Sequence, residues 1–353
     1  MRLLLASGTP HLPQLTGGLE VNTHQLALEL NERGCSTAVF SKLSLRDMFG
    51  ASRFLAGCAQ FKGTVVDRSL GYDVYRSLRP WKDLGGLSMP QVVIVQNGRM
   101  VQIGRTFLER GISSIAYLHG LEFEDAPHIW PQKANDLPFS AYIANSAFTA
   151  ARFRARYGID TAIIPPIFRA DDYRTFGEGR HVTFINPVQV KGVEVALAVA
   201  GLCPDIPFLF VRAWPLSKKN ESDLKQRLSA LPNVRLIDRT TDMARIYEQT
   251  RVLLVPSQWE ETWGRVVSEA QFSGIPVLSS DHAGLTESVG PGGILVDREA
   301  PPAVWAEQLR LLWNDPAVYQ QMREAAFAHA DRRELKIDHQ VDQLMDITEK
   351  VAA

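Results

Sequence analysis

The chain has 353 residues, 45% of them hydrophobic and 22% charged, which is enough for two domains of ordinary size. A formal net charge of -1 and a pI of about 6.7 exclude the broad basic footprint of a nucleic-acid binder, so any phosphate must be bound locally. Three scattered cysteines, Cys35, Cys58 and Cys203, fit no zinc or redox spacing and read as core thiols. The apolar run from Met1 to Ala6 stops at Ser7 and Gly8, short of a signal peptide or a membrane span, and predicts a cytoplasmic protein.

Arg2 to Ala6 predicts a buried strand, and the Gly- and Pro-rich loop SGTPHLPQLTGG follows it. In LEVNTHQLALELNERG the apolar residues Leu26, Ala27 and Leu30 share one helical face, and Arg33 with Gly34 marks the stop. TAVFS then resumes as a strand. Strand, loop, helix and strand make a crossover unit whose parallel sheet needs helices on both faces. Residues 44–90 yield only GYDVYRSL as a candidate strand. Beyond them QVVIVQ, SIAYLH and AYIANS predict strands ending in polar residues. His119, Asn145 and Ser146 thereby fall at carboxyl ends, where open parallel sheets bind ligands.

The second half alternates more cleanly. HVTFIN, FLFVR, NVRLID, RVLLVPS, PVLSS and GGILVD predict strands, and each gap is long enough for a helix of two turns except the loop-like one after Ser280. The pattern predicts an α/β fold of two Rossmann-like, doubly wound parallel-sheet domains facing a central cleft. Residues 1–165 form the first and 180–330 the second, with a hinge at 166–179 in the Pro- and Gly-interrupted IIPPIFRADDYRTFGEGR. Residues 331–353 predict a helix packing back on the first domain.

A dinucleotide site needs G-x-G-x-x-G at a tight strand-to-helix turn and an acid closing the next strand. The first loop here is long, its glycines Gly17 and Gly18 are adjacent, and TAVFSK closes in Ser41 and Lys42, which disfavours a nicotinamide oxidoreductase. Gly17 and Gly18 serve either a flexible loop or a close approach of backbone to an anion at a helix start. Lys191 and Gly192 likewise read either as a solvated turn or as a cation facing a ligand. In SQWEETWGRVVSEAQFSG, Glu261 lies in a loop and Glu269 about one and a half turns into a helix closed by Gly274. Both carboxylates can accept from sugar hydroxyls, and the N–H groups of Thr262, Trp263, Gly264 and Arg265 point from the helix start. A solvated pair of acids on a surface helix is the alternative. No His/Cys/Asp/Glu spacing suggests a metal.

VPSQWEETWGRVVSEAQFSGIPVLSS, followed by AGLTE and GGILVD, resembles the donor half of glycosyltransferase family 4, a retaining family with the GT-B fold. GGLEVNTHQLALELNERG, YLHG and IANSAFT resemble that family's N-terminal segments, so the likeness spans nearly the whole chain and is weakest at 44–90. The resemblance implies that the first domain takes the acceptor and the second a nucleoside-diphosphate sugar, UDP- or GDP-linked. It implies Glu261 and the backbone of Trp263 to Arg265 on sugar and phosphate, Glu269 on the ribose, and Lys191 on the diphosphate. It also implies His119 at the reaction centre, Gly17 and Gly18 near the diphosphate, and no metal or other cofactor. The family's Gly-Arg before Lys-Gly is here Ile185 and Asn186, so Arg265 or Arg212 is expected to supply the missing positive charge.

The expected activity is transfer of a sugar to an acceptor that the sequence leaves open: a saccharide, a lipid-linked molecule or a small molecule. Membrane contact is at most peripheral. A nucleotide-sugar epimerase of the same architecture, or a nucleotide-sugar binding protein with weakened activity, are the competing readings.

Overall fold

The computed structural model describes residues 1–59, 64–125, 129–177, 179–238, 240 and 242–353, leaving aside the side chains of 56–59 and 125. The chain divides into two units, Met1–Phe168 with Glu334–Ala353, and Arg169–Arg333.

In the N-terminal unit the strands are β1 (Arg2–Ser7), β2 (Ser36–Lys42), β3 (Thr64–Asp67), β4 (Val74–Ser77), β5 (Val92–Asn97), β6 (Ser113–Leu118), β7 (Ala141–Ala144) and β8 (Ala162–Ile163). They form one sheet in the order β3-β4-β2-β1-β5-β6-β7-β8, parallel except for the β3–β4 pair. The continuous apolar runs arise because both faces are covered. Along β1, Leu4 and Ala6 enter one core with Val93 and Val95 of β5, while Leu3 and Leu5 enter the opposite core with Val92 and Ile94. The second of these cores is completed by the helix Ile337–Ala352, through Val341 and Leu344. Gln340 on that helix is fully buried and donates to the carbonyls of Pro165 (2.9 Å) and Pro166 (3.3 Å).

Residues 44–90, read as nearly featureless, hold the helix Met48–Ala59 and the strands β3 and β4. β4 falls within the predicted strand GYDVYRSL, whereas the helix and β3 were not anticipated; β4 carries a buried cation. Arg76 is 0% exposed and donates to Asp67 (3.1 Å) and to the carbonyls of His11 (3.4 Å) and Leu12 (2.5 Å). His11, buried beside it, bonds Tyr72 Oη (3.0 Å), and that hydroxyl also meets His24 Nδ1 (2.8 Å). Burial, with Arg76 and His24 adding to it, lowers the His11 pKa to about 3.

In the C-terminal unit the strands are β9 (His181–Ile185), β10 (Phe208–Arg212), β11 (Val234–Asp238), β12 (Thr250–Val255), β13 (Val277–Ser280) and β14 (Gly293–Val296). All are parallel, in the order β11-β10-β9-β12-β13-β14. Phe208 and Phe210 fill one core while Leu209 and Val211 of the same strand fill the other. The segment after Ser280, read as a loop, contains the short helix Leu285–Val289 and a 3-10 turn at Gly290–Gly292. Cys35 and Cys203 are buried free thiols, and the side chain of Cys58 lies outside the described residues. Among the described residues no helix is long and apolar enough to cross a membrane.

Candidate functional site

In a doubly wound sheet the connections part on either side of one strand, and the crevice at the carboxyl ends there is where ligands bind. β9 is that strand in the C-terminal unit, flanked by β10 and β12. The chain leaves β9 through a 3-10 turn, Gln189–Lys191, ended by Gly192 at φ 82. A Cβ on Gly192 would stand 1.8 Å from the Pro256 carbonyl oxygen, so only glycine lets this turn lie against the segment leaving β12. The amides of Gln258 (2.9 Å) and Trp259 (3.0 Å) both donate to the Val190 carbonyl, fixing the contact.

This junction brings together two residues 70 positions apart in sequence. Lys191 Nζ pairs with Glu261 Oε1, their side chains 20% and 14% exposed. Ser257 donates to the same carboxylate oxygen at 3.0 Å, and the Trp214 ring lies 5.2 Å from the Lys191 ammonium. The backbone of Glu261 is braced from the other side. The Gly284 amide donates to its carbonyl at 2.8 Å, and a Cβ on Gly284 would stand 2.2 Å from the Thr262 carbonyl oxygen. The short helix after Ser280 thus belongs to the support of the site.

Gly264, at φ 80, begins the helix Arg265–Gln271. One turn along it, Arg265 Nε stands 3.4 Å from Glu269 Oε1, while Tyr247 donates to Glu269 Oε2 at 2.7 Å. Arg265 also donates to Tyr173 Oη at 3.2 Å. Burial raises the pKa of Glu269, opposed by the Arg265 charge and the Tyr247 and Arg265 hydrogen bonds. Trp263 is a core side chain, 2% exposed, with its Nε1 donating to Ser268 Oγ at 3.0 Å.

Asn186 and Arg212 serve other tasks in this structure. Asn186 adopts φ 63, a conformation asparagine tolerates better than most residues, and its Oδ1 accepts from the amides of Ala213 (3.1 Å) and Trp214 (2.7 Å). It therefore latches the end of β10 and sets the backbone that carries Trp214. Arg212 pairs with Glu221 (2.9 Å) and Asp238 (2.5 Å), not with Glu261.

In the N-terminal unit β1 is the strand between the two directions of winding, flanked by β2 and β5. Gly8 and Gly98 meet there, where a Cβ on Gly8 would stand 1.9 Å from the Gly98 carbonyl oxygen. Gly17 caps the helix Gly18–Glu32, and its amide donates to Glu20 Oε2 at 2.9 Å. The first turn of that helix therefore carries its own carboxylate where the sequence suggested an anion approaching. The His119 ring, just past β6, lies 4.0 Å from the Tyr117 ring, centroid to centroid. Ser146 caps the helix Ala147–Tyr157 through the Thr149 amide at 3.0 Å, whereas Asn145 accepts from the Thr149 hydroxyl at 2.9 Å.

Sequence reasoning missed Ser257, Tyr247, Trp214 and Gly284. Ser257 sits in the quoted segment VPSQWEETWG, whereas nothing in the sequence distinguishes Tyr247 from an ordinary core phenol. Among the described residues no group of three or more His, Cys, Asp or Glu could hold a metal ion.

Residues 187–329 match the family described as Glycosyl transferases group 1. A D-inositol 3-phosphate glycosyltransferase of Arthrobacter sp. (strain FB24) is 30% identical over 215 residues, 53% of this chain and 51% of that protein. The protein of the same name from Corynebacterium diphtheriae is 37% identical over 112 residues, 31% of this chain and 26% of its own. The chain thus spans about half or less of these curated relatives. HepE of Anabaena, solved in complex with UDP, superimposes with a TM-score of 0.75 at 17% identity, covering 99% of this chain and 100% of that one. Sucrose-phosphate synthase from Thermosynechococcus elongatus gives 0.72 at 16% identity, covering 99% and 98%. The chain has the GT-B fold, and its residues 187–329 match the Glycosyl transferases group 1 family.

Proposed function

We propose that the protein is a glycosyltransferase that moves a sugar from a nucleoside-diphosphate donor to a hydroxyl of an acceptor, with retention at the anomeric carbon and without a metal. The observation that carries this reading is the Lys191–Glu261 pair at the strand where the C-terminal sheet changes direction. In such a reaction the bond from the anomeric carbon to the diphosphate breaks and one to the acceptor oxygen forms. The diphosphate leaves with the electron pair, and one of its oxygens takes the acceptor's proton. Negative charge grows on the leaving group, and a fixed cation stabilises the transition state more than the ground state.

Lys191 supplies that cation, which is the work a metal would otherwise do. Its partner in the structure is Glu261; a diphosphate competes for the ammonium and frees the carboxylate to accept from sugar hydroxyls. Glu269, fixed by Arg265 and Tyr247, suits the ribose hydroxyls. UDP is favoured over GDP because the neighbour from Anabaena was solved with UDP, with UDP and glucose, and with UDP-glucose. His119 and the Gly17–Gly18 loop belong to the acceptor-side unit.

Calorimetric titration with UDP, GDP, ADP and dTDP tests the reading. UDP is expected to bind, with affinity at least tenfold weaker in Lys191→Ala and Glu269→Ala; a native chain that binds none of the four overturns it. One observation favours a second reading, a nucleotide-sugar binding protein with weak turnover: the position of the family's second cation is Asn186, committed to the backbone at 213–214. Nucleotide binding without detectable sugar transfer would select it.

A further inference from the structure

One stretch of the N-terminal half carries a positive excess that the rest of the chain does not share. Residues 42–83 contain eight Lys or Arg against four Asp or Glu, in a chain with 38 against 39 overall. The four acids of this segment are engaged: Asp67 by Arg76 and Arg53, Asp73 by Arg68, Asp47 by Gln14 and the Gly50 amide, and Asp83 by the Gly85 amide. Among the described residues no ion pair engages Lys42, Arg46, Arg79, Lys82 or the neighbouring Arg99. Glu122 accepts from the Gly98 amide at 2.8 Å.

Two of these cations converge on one ring. Lys42 closes β2 and Arg99 follows β5, so they stand at the carboxyl ends of the two strands that flank β1. The Arg99 guanidinium lies 4.4 Å and the Lys42 ammonium 5.8 Å from the centre of the Trp81 ring. Trp81 itself follows β4, half-buried against the core, and its carbonyl accepts from Thr106 Oγ1 at 2.8 Å. Arg99 is held at φ 59, a left-handed conformation that is unfavourable for a residue with a side chain. A guanidinium stacked on an aromatic face keeps its in-plane N–H groups for an anion, and a sugar ring packs its carbon face on the same kind of surface.

We infer that this edge binds the acceptor through a phosphate group that the acceptor carries, with Lys42 and Arg99 on the phosphate and Trp81 against its sugar or polyol ring. Phosphate suits the site because it brings close to two negative charges and three acceptor oxygens to a cluster of unneutralised cations. The inference rests on the transferase reading, since it names the class of molecule that receives the sugar. The phosphate can come from a soluble sugar phosphate or from a lipid headgroup.

The test uses the full chain and the double variant Lys42→Gln/Arg99→Gln, with Lys218→Gln/Lys219→Gln, at an exposed helix start of the other unit, as the charge control. Each is titrated with glucose 6-phosphate, with glucose, and with UDP, and is sedimented with phosphatidylglycerol vesicles. Glucose 6-phosphate binding that falls at least tenfold in the double variant only, with glucose much weaker, supports a soluble acceptor. Vesicle binding lost in the same variant, without glucose 6-phosphate binding, supports a lipid-borne one. Trp81→Ala is expected to weaken the soluble ligand and Trp81→Phe to restore most of it. If the double variant binds both phosphates as the native chain does, or the native chain binds neither, the inference is overturned. UDP binding in the same samples then tells whether the donor reading survives it.

Discussion

In the N-terminal unit the ion pair of Arg76 with Asp67 is sealed inside the fold, its side chains 0% and 1% exposed, while Lys42 and Arg99 at the sheet's edge have no ion-pair partner among the described residues. In the C-terminal unit the order is reversed, because Lys191 and Glu261 pair at the edge itself and keep 20% and 14% of their surface. The same chemistry has different consequences at the two depths. A sealed pair cannot reach a ligand and acts only on stability, whereas an edge pair is partly hydrated, adds little to stability and can exchange partners.

The largest effect expected from breaking this contrast is on the sealed side. Arg76→Leu leaves Asp67 with the Ser69 amide (3.1 Å) and the partly exposed Arg53 (3.5 Å), and denaturant unfolding should lose about 3–5 kcal/mol. Replacing Asp67 by leucine as well should recover part of that loss. Next comes the edge pair. Lys191→Ala should reduce sugar transfer by roughly 100-fold, about 2.7 kcal/mol of transition-state stabilisation, with the unfolding curve almost unmoved. Gly192→Ala should separate the pair without removing either charge. Its Cβ meets the Pro256 carbonyl and its φ is strained, so a loss on the order of 2 kcal/mol in stability and a parallel weakening of donor binding are expected.

A further effect is graded with pH and is small for each step near neutrality. His11 binds its proton at about 6.5 when unfolded and at about 3 when folded, so between those values the unfolded state holds more protons. The native state is thus most favoured above pH 6.5 and should lose about 1.4 kcal/mol per pH unit as acid is added down to about 3. His11→Gln should flatten that part of the stability profile; an unchanged slope would show that other groups produce it.

The strands buried on both faces were the most legible part of the fold. FLFVR and RVLLVPS are apolar at consecutive positions because alternate residues serve opposite cores. VYRS was legible as part of the candidate strand GYDVYRSL, but the burial of Arg76 and Ser77 within it was not, and β8, with two residues, carries no pattern. The helix Leu285–Val289 read as loop because its five residues are held by the Gly284 contact with Thr262 and not by their own periodicity. Within the site, Lys191 and Glu261 were each identified, but their meeting depends on a strand order that spacing does not encode. Asn186 read as an arginine gone missing. Its side-chain carbonyl, which binds two backbone amides, gives it a positive reason to be there.

The helix Ile337–Ala352 joins the N-terminal unit only after the whole of Arg169–Arg333 has been synthesised. On a ribosome adding about 5–20 residues per second, the sheet face with Leu5, Ile94 and Ile115 waits on the order of ten seconds or more for its cover. During that interval the half of the protein made first is the half that finishes last. A stop codon before Gln340 would therefore injure the N-terminal unit, far along the sequence from the lesion, and leave the C-terminal unit with its strands complete.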